Sequence, residues 1–213
     1  MEFNQLLHLA GDDGVFESAL LLAGEVNPRS LRVQLVRWVK AKKLYQLRRG
    51  LYAFAPPYQK KALHPFWVAN QMVRGSYVSL QSALAHYGLI PENVPRVTSV
   101  GSGRPARWET PLGTFEFRQI KSAWLFGYRL LDLGGGQQAF VASAEKALLD
   151  LIHLTPDADS PNYLRELRLQ NLERLNLEEL QQLAKRMGSP KLKRAVRVVV
   201  ELARAEAEEY ETL

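Results

Sequence analysis

Residues 27–54 read NPRSLRVQLVRWVKAKKLYQLRRGLYAF, and this stretch decides the fold of the first part of the chain. It opens with Asn27 and Pro28, an N-cap residue followed by proline at the first helical position. The helix that they begin is expected to run to about Lys42. The apolar residues that fall on one arc at 100° per residue, and are therefore expected to pack inward, are Leu31, Leu35, Trp38 and Val39.

Two short strands are predicted after this helix, at residues 44–47 and 51–54. The three residues that join them, Arg48, Arg49 and Gly50, suit a tight hairpin because glycine tolerates a positive φ. Two earlier helices are predicted at residues 2–10 and 15–23. Three helices followed by a basic-tipped hairpin predict a winged helix-turn-helix domain over residues 1–57.

The charge of the chain is concentrated in this part. The net charge is only +6, but residues 26–91 hold eleven Lys and Arg and no Asp or Glu. Eight of the eleven lie between Arg29 and Arg49. Ordinary protein surfaces mix the two signs of charge, whereas a block of one sign attracts a polyanion through counterion release. The charge pattern therefore favours a nucleic-acid partner over a merely solubilising surface.

A recognition helix needs an apolar inner face and long hydrogen-bond donors near its N-terminus that reach base edges and phosphates. The helix that begins at Pro28 meets both needs, and Val33 is suited to meet a thymine methyl group. The arginines at the hairpin tip are expected to enter a minor groove or to bind phosphate. The residues predicted to contact double-stranded DNA are Arg29, Ser30, Arg32, Val33, Arg37, Lys40, Lys43, Arg48 and Arg49.

A second domain is predicted over residues 62–213, after a linker that begins at residues 55–57. Alternating and helical patterns are mixed in it, and the part from Ser143 onward is helical, so the chain as a whole is expected to be α+β. Residues 191–212 begin basic and end acidic. The predicted strands and hairpins lie at residues 96–100, 107–109, 114–120, 128–133 and 138–141, and the predicted helices before Ser143 at residues 65–73 and 79–87.

Catalytic, metal and cofactor sites are not expected. The chain has no cysteine, and its four histidines show no metal-ligand spacing. Ser143 and Lys146 have the Ser-x-x-Lys spacing of acyl-serine enzymes, but the other motifs of that class are missing, and Ser143 suits a helix cap. The first ten residues lack the basic segment of a signal peptide, and no apolar stretch approaches about 18 residues. A cytoplasmic protein without a membrane partner is therefore expected.

Several segments resemble the AbiEi antitoxin family. In the first domain they are residues 36–44 and 48–53, the latter reading RRGLYA. In the second domain they are LQSALAHYGLIP at residues 80–91, WETPLGTF at residues 108–115 and SAEKALLD at residues 143–150. Ala144 departs from the proline expected in the last segment. The resemblance extends to about Leu154, and residues 155–213 carry no matching signature.

This resemblance implies a DNA-binding transcriptional autorepressor that binds inverted repeats at its own promoter. It also implies the antitoxin of a type IV toxin–antitoxin pair in abortive phage defence. Its functional partner would be a nucleotidyltransferase toxin, neutralised without a stable complex and with the help of the second domain. Charge and periodicity alone indicate only DNA binding.

Two other functions stay open at this point. One is a winged-helix regulator whose C-terminal domain senses a ligand or a protein partner. The other is an enzyme acting on nucleic acid, with the first domain as a tether. The enzyme would need clustered acids or histidines, which the sequence does not offer.

Overall fold

The computed structural model describes residues 1–11, 13–22, 27–91 and 94–211, with side chains as far as residue 206. It confirms a mixed α+β chain. Its first part holds two α-helices, a 3-10 helix and a three-stranded antiparallel sheet in the order β1-β3-β2. The bounds are α1 Phe3–Leu9, β1 Val15–Glu17, the 3-10 helix Ser18–Leu22, α2 Pro28–Lys40, β2 Leu44–Arg48 and β3 Leu51–Phe54.

The second part is built on a six-stranded sheet in the order β6-β7-β5-β4-β9-β8. The pairs β5–β7 and β4–β9 are parallel, and the other neighbours are antiparallel. Both predicted hairpins, β6–β7 and β8–β9, are confirmed. The bounds are β4 Tyr77–Val78, β5 Arg96–Gly101, β6 Ala106–Thr110, β7 Gly113–Gln119, β8 Tyr128–Asp132 and β9 Gln138–Ala142.

Six α-helices cover this sheet and form the helical end of the chain. The central one is α5, because it packs against α4, α7 and α8. Helices were predicted in all these places, and the breaks near residues 155–161 and 188–190 are confirmed. A third break, between α6 and α7, was not predicted; it holds only a 3-10 turn, Leu172–Arg174. The bounds are α3 Pro65–Met72, α4 Leu80–His86, α5 Ala144–Leu154, α6 Pro161–Glu166, α7 Leu177–Met187 and α8 Pro190–Glu211.

The prediction of an α-helix over residues 15–23 is wrong. Residues Val15–Glu17 form a strand that pairs with β3, with Phe16 opposite Tyr52, and only the next five residues turn into a 3-10 helix. The apolar residues of this short segment suit either state. The open edge of β3 favours the strand, because pairing there satisfies the backbone hydrogen-bonding groups of Val15–Glu17. It also lets Phe16 stack on Tyr52, with 5.9 Å between the ring centroids. Ala23 lies outside the described residues.

Side chains of the small sheet belong to two different hydrophobic cores. Leu44, Tyr52 and Phe54 pack with the α1 and α2 side chains in a small core. Leu47 and Leu51, in contrast, belong to the large core of the second part. The two parts of the chain are therefore in direct apolar contact through β2 and β3.

The segment between the two parts is also fixed by hydrogen bonds. Gln137 is buried, and its side-chain amide donates to the carbonyl of Ala62 (2.8 Å) while its oxygen accepts the backbone N–H of His64 (2.9 Å). One side chain at the start of β9 thus holds the chain entering α3. The residues between β3 and α3 are therefore tied to the larger sheet.

A buried ion pair lies at the centre of the second part. Lys146 and Asp150, one turn apart on α5, are both fully buried and their charged groups are in contact. Asp150 also accepts hydrogen bonds from the hydroxyls of Tyr77 (3.0 Å) and Ser79 (2.9 Å). Burial raises the pKa of Asp150 and lowers the pKa of Lys146, and the attraction between the two groups opposes both shifts. The four side chains together join α5 to β4 and to the start of α4.

We expect Lys146→Met to destabilise the protein by about 3–5 kcal/mol, because it leaves Asp150 buried without its cation. Asp150→Asn leaves the Lys146 ammonium buried without its anion and should destabilise the protein by a similar amount. The double variant removes both charges and keeps an oxygen acceptor for Tyr77 and Ser79, so it should recover much of the loss. Urea unfolding of the three variants measures this. A loss of unfolding free energy in the double variant equal to the sum of the two single losses would contradict the energetic coupling of Lys146 and Asp150.

A histidine begins α3 and makes that helix sensitive to acid. The Nδ1 atom of His64 accepts the backbone N–H of Phe66 (3.2 Å), which requires that nitrogen to be unprotonated. Burial, with a smaller effect from His86, lowers the pKa of His64. The folded state thus favours neutral histidine, so this contribution is present above the unfolded pKa of about 6.5 and declines as the pH falls below it.

His64→Asn should keep the cap and remove this pH dependence, since asparagine is a good N-cap residue that does not titrate. We expect the difference in melting temperature between neutral and mildly acidic buffer to be smaller in His64→Asn than in the parent. His64→Ala should be about 1 kcal/mol less stable than the parent at neutral pH, and this difference should shrink in acid, where protonated His64 no longer caps the helix. An unchanged pH dependence in His64→Asn would assign the acid sensitivity to other groups.

Candidate nucleic-acid interface

Helix α2 begins as the sequence indicates. The side-chain oxygen of Asn27 accepts the backbone N–H groups of Arg29 (2.9 Å) and Ser30 (3.2 Å), and Pro28 occupies the first turn. Leu31 and Leu35 are 3% exposed, so the predicted inward face is confirmed. Holding this face against the small core directs the opposite side of α2 outward.

The outward side of α2 is basic and apolar, and we refer to its exposed residues as the α2 face. Two of them are valines, Val33 and Val36, each 47% exposed. None of the four cations on this face forms a salt bridge among the described residues. The α2 face consists of Arg29, Ser30, Arg32, Val33, Val36, Arg37 and Lys40.

Trp38 is half-buried and belongs to the protein interior. Its ring meets Phe3 of α1 edge to face, with 5.3 Å between the ring centroids. It is therefore part of the packing that holds α1 against α2, as predicted. Val39 packs against the same small core.

The connection between β2 and β3 is short, and its exposed residue is Arg49. Arg48 pairs directly with Leu51 across the strands, so only Arg49 and Gly50 form the turn. Gly50 has a φ of +83°, and its carbonyl accepts the backbone N–H of Ser18 (2.8 Å). The turn is thereby fixed to the segment after β1, and it presents the side chain of Arg49 to solvent.

Arg48 was predicted at the hairpin tip, but it lies in β2, and its predicted DNA contact stays a prediction. Its guanidinium donates to the carbonyl of Met72 at the end of α3 (2.6 Å), to the carbonyl of Arg49 (3.0 Å) and to Glu17 of β1 (3.3 Å). Glu17 lies 3.9 Å from the Arg74 guanidinium as well. Arg48 therefore connects the small sheet to the second part of the chain, and phosphate would have to displace these partners.

Lys43, also predicted to contact DNA, lies against aromatic rings of the protein. Its ammonium lies 4.7 Å from the ring centroid of Phe3 and 5.8 Å from that of Tyr58, and the residue is half-buried. A cation held over two aromatic rings is occupied within the protein. Within the described residues of the first part, the exposed cations that form no ion pair are the four of the α2 face, Lys42 and Arg49.

Two residues of this region were not foreseen from the sequence. Val36 is exposed three residues after Val33, and this spacing along a helix was the available signal. Glu17, in contrast, meets Arg48 across 31 residues of sequence. No local pattern indicates such a pair.

The residues with catalytic spacing do not form a catalytic site. The Ser143 hydroxyl accepts the backbone N–H of Lys146 (3.2 Å), which makes it the N-cap of α5, as predicted. The ammonium of Lys146 points to Asp150 and is buried, so it cannot activate Ser143. Among the described residues, no group of three or more His, Asp or Glu is arranged to hold a metal ion.

A cavity of about 310 Å³ lies in the second part, beside the start of α4. Its walls include apolar side chains, among them Leu80 and Leu151, and a charged cluster in which Glu116 meets Arg96 at 3.0 Å and Arg118 at 3.6 Å. Leu80 is buried with a φ of +58°, a strained value for a side chain of this size. This cavity is separate from the α2 face.

Comparison of the chain with models of protein families and with curated proteins gives no match. Within the described part of the chain, no helix combines the length and the apolar character needed to cross a membrane.

Arg48 and Arg49 are neighbours with different expected roles. Arg48 should matter for stability, and Arg49 should matter for DNA binding. Arg48→Ala should lower the free energy of unfolding by about 1–3 kcal/mol, because it leaves the Met72 carbonyl and Glu17 without their donor. Arg49→Ala should leave stability within about 0.5 kcal/mol and weaken binding to any duplex. Urea unfolding and DNA titration of both variants test this. If Arg48→Ala were as stable as the parent and bound DNA less well, the two roles would be reversed.

Proposed function

We propose that the protein is a DNA-binding transcriptional repressor that places α2 in the major groove of its operator. The observation that carries this proposal is the α2 face, on which four exposed cations, none of them in a salt bridge with another described residue, surround two exposed valines. Cations without partners bind phosphate or guanine without first breaking an ion pair. Exposed apolar side chains between them suit the methyl groups of thymine.

The element order of the first part supports a winged helix-turn-helix over residues 1–57. Such domains carry a recognition helix after shorter helices and then a hairpin, the wing. Here α2 takes the place of the recognition helix, the 3-10 helix Ser18–Leu22 that of the helix before it, and β2–β3 that of the wing. Strand β1 completes the sheet behind the hairpin.

The positions of the cations suggest that some contact base edges and others contact phosphates. Arg29, Arg32 and Arg37 lie along the exposed side of α2, where a bidentate guanidinium meets the edge of guanine. Lys40, at the end of the helix, and Arg49, at the turn, are placed to bind the flanking phosphates. Lys43 and Arg48 are left out of this set because they are occupied within the protein.

The repressor is further proposed to be an antitoxin that neutralises a nucleotidyltransferase toxin without a stable complex. This part rests on the sequence resemblance to the AbiEi family, whose segments fall at structurally distinct places. SAEKALLD forms the first turns of α5 and supplies both Lys146 and Asp150. LQSALAHYGLIP contains α4, which begins next to the Ser79 hydroxyl that meets Asp150. These two family-like segments thus surround the same buried ion pair.

A regulator that senses a small ligand is the second candidate, and the cavity beside Leu80 favours it. The Arg96–Glu116–Arg118 cluster would meet a polar group of the ligand, and the leucines would meet its apolar part. Both candidates share the DNA-binding face. They differ in what the second part of the chain acts upon.

DNA binding should depend strongly on salt. If Arg29, Arg32, Arg37, Lys40 and Arg49 each neutralise one phosphate, log K should fall with log salt at a slope of roughly −4 to −5. Titration of the full chain with a random-sequence duplex of about two helical turns provides the slope. A slope near zero would remove the α2 face as a nucleic-acid interface.

Arg37→Ala should reduce this slope by about one if the residue meets phosphate. If it meets guanine, it should instead cost about 1–3 kcal/mol on a duplex selected for tight binding and less on random DNA. Arg107→Ala is the matched control, because Arg107 is an exposed arginine of β6 whose only described ion-pair partner is Glu109. Equal losses in Arg37→Ala and in the control would contradict the proposal.

The antitoxin role is tested by growth of cells that express a nucleotidyltransferase encoded next to this gene. Expression of the full chain should restore growth, and so should the Arg29→Ala/Arg37→Ala variant, since neutralisation is assigned to the second part. Suppose that neither protein restores growth, although the unmodified full chain binds DNA with the expected salt dependence. That result would support the repressor role and exclude the antitoxin role. The ligand-sensing candidate would then be preferred.

A further inference from the structure

The cavity beside the start of α4 has a charged wall, which two neighbouring strands build. Thr98 of β5 lies opposite Glu116 of β7 in parallel register, and Arg96 and Arg118 stand two residues from this pair, one on each strand. Alternate residues of paired strands share a face, so these side chains all lie on the same side of the sheet. We refer to Arg96, Glu116 and Arg118 as the charged wall.

The charged wall holds more positive than negative charge. Glu116 is shared between the two arginines, since one carboxylate oxygen lies 3.0 Å from the Arg96 guanidinium and the other lies 3.6 Å from that of Arg118. Among the described residues that line the cavity, Glu116 is the one acid. Two cations against one anion leave the wall with a net charge of +1. The wall therefore attracts an anion into the cavity.

The two guanidinium groups also keep hydrogen-bond donors for such an anion. Each guanidinium has five N–H donors. Besides its contact with Glu116, the Arg118 guanidinium donates to the carbonyl of Leu154 (3.1 Å), whereas that of Arg96 makes no other described hydrogen bond. The side chains of Arg96 and Arg118 are 45% and 42% exposed, so their remaining donors are accessible to a ligand.

Apolar side chains form another part of the lining. Val94 and Leu154 are only partly buried and Pro95 is exposed, so they offer apolar surface to an occupant. Behind them Leu80 and Leu151 belong to the large core and close the cavity. The volume of about 310 Å³ is near the lower end for ligand pockets, which hold roughly 300–1,000 Å³. The occupant is therefore a small molecule with an apolar part.

We infer that this cavity binds a small monocarboxylate with a short apolar chain. The carboxylate meets the guanidinium groups of Arg96 and Arg118, and the chain lies against Val94, Pro95 and Leu154. A carboxylate matches the planar donors of arginine, and its single charge balances the net charge of the wall, whereas a phosphate monoester carries nearly two charges. The regulatory role of this ligand rests on the ligand-sensing function proposed above, but its binding requires only the cavity.

Isothermal titration calorimetry of the full chain with hexanoate tests the site. We expect saturable binding with a Kd of about 1 mM or below, as for a ligand of this size. Hexan-1-ol lacks the charge and acetate lacks the chain, so each should bind at least about tenfold more weakly than hexanoate. Hexyl phosphate carries the chain with a larger charge and should also bind more weakly. Tighter binding of hexyl phosphate than of hexanoate would overturn the assignment to a monocarboxylate.

Substitutions in the charged wall should change the affinity in opposite directions. Arg96→Gln should weaken hexanoate binding at least about tenfold, because it removes one of the two cations that meet the carboxylate. Glu116→Gln removes the competing carboxylate and should tighten binding. Arg107→Gln is the matched control and should bind as the parent, since Arg107 is an exposed arginine of β6 outside the cavity lining.

A melting curve of each variant shows whether it is folded. Equal affinities of Arg96→Gln and Arg107→Gln for hexanoate would overturn the inference. So would weaker binding by Glu116→Gln in a chain that melts like the parent.

DNA titration of the same preparations separates this inference from the proposed function. A parent chain that binds duplex DNA with the expected salt dependence but shows no saturable binding of hexanoate would overturn the cavity assignment alone. A parent chain that binds hexanoate but not duplex DNA would overturn the repressor and support the cavity assignment.

Discussion

The buried contact between Lys146 and Asp150 is the constraint on which the second part of the molecule depends. An unpaired carboxylate in this interior would be far too costly, so every group around Asp150 is arranged to satisfy it. Tyr77 and Ser79 give it their hydroxyls, which fixes the short strand β4 in the middle of the sheet. Gly127, with a φ of +69°, lies so close to Lys146 that an added Cβ would stand 3.1 Å from the lysine side chain.

The strain at Leu80 follows from the same constraint. Ser79 stands at the N-cap position of α4, but its hydroxyl is directed to Asp150 and makes no cap hydrogen bond. The first free N–H groups of α4 need other acceptors, and the hydroxyl of Thr98 accepts that of Ser82 (3.1 Å). The chain between β4 and α4 must therefore turn sharply, and it does so at Leu80. The cavity opens beside this turn, which links its shape to the buried ion pair.

The second part in turn determines how the α2 face is held. Met72, at the end of α3, offers its carbonyl to Arg48, and Leu47 and Leu51 enter the large core. The small sheet is thus anchored on one side by the second part and on the other by α1 and α2. Any change in the second part that moves α3 would reach the hairpin first. This is a physical route by which an event in the second part would reach the α2 face.

Much of this architecture could be predicted from the sequence, because it depends on local patterns. The two faces of α2, its Asn27 cap, the two hairpins of the large sheet and the cap at Ser143 all follow from periodicity or cap chemistry. The strands that the sequence did not predict are short. Val15–Glu17 pairs with the edge of β3, and Tyr77–Val78 lies between β5 and β9, so the partners that make these residues strands come from distant sequence.

The candidate site likewise combines features that local sequence patterns predict with features that depend on distant residues. All nine predicted DNA contacts lie in an acid-free stretch, and nothing local distinguishes Arg48 and Lys43 from the rest. Their partners are Met72, 24 residues away, and Phe3, 40 residues away. A guanidinium with three acceptors would lose them all on meeting phosphate, whereas the four cations of the α2 face have no ion pair to break among the described residues. Long-range contacts therefore decide which cations are held within the protein, and a charge pattern does not contain those contacts.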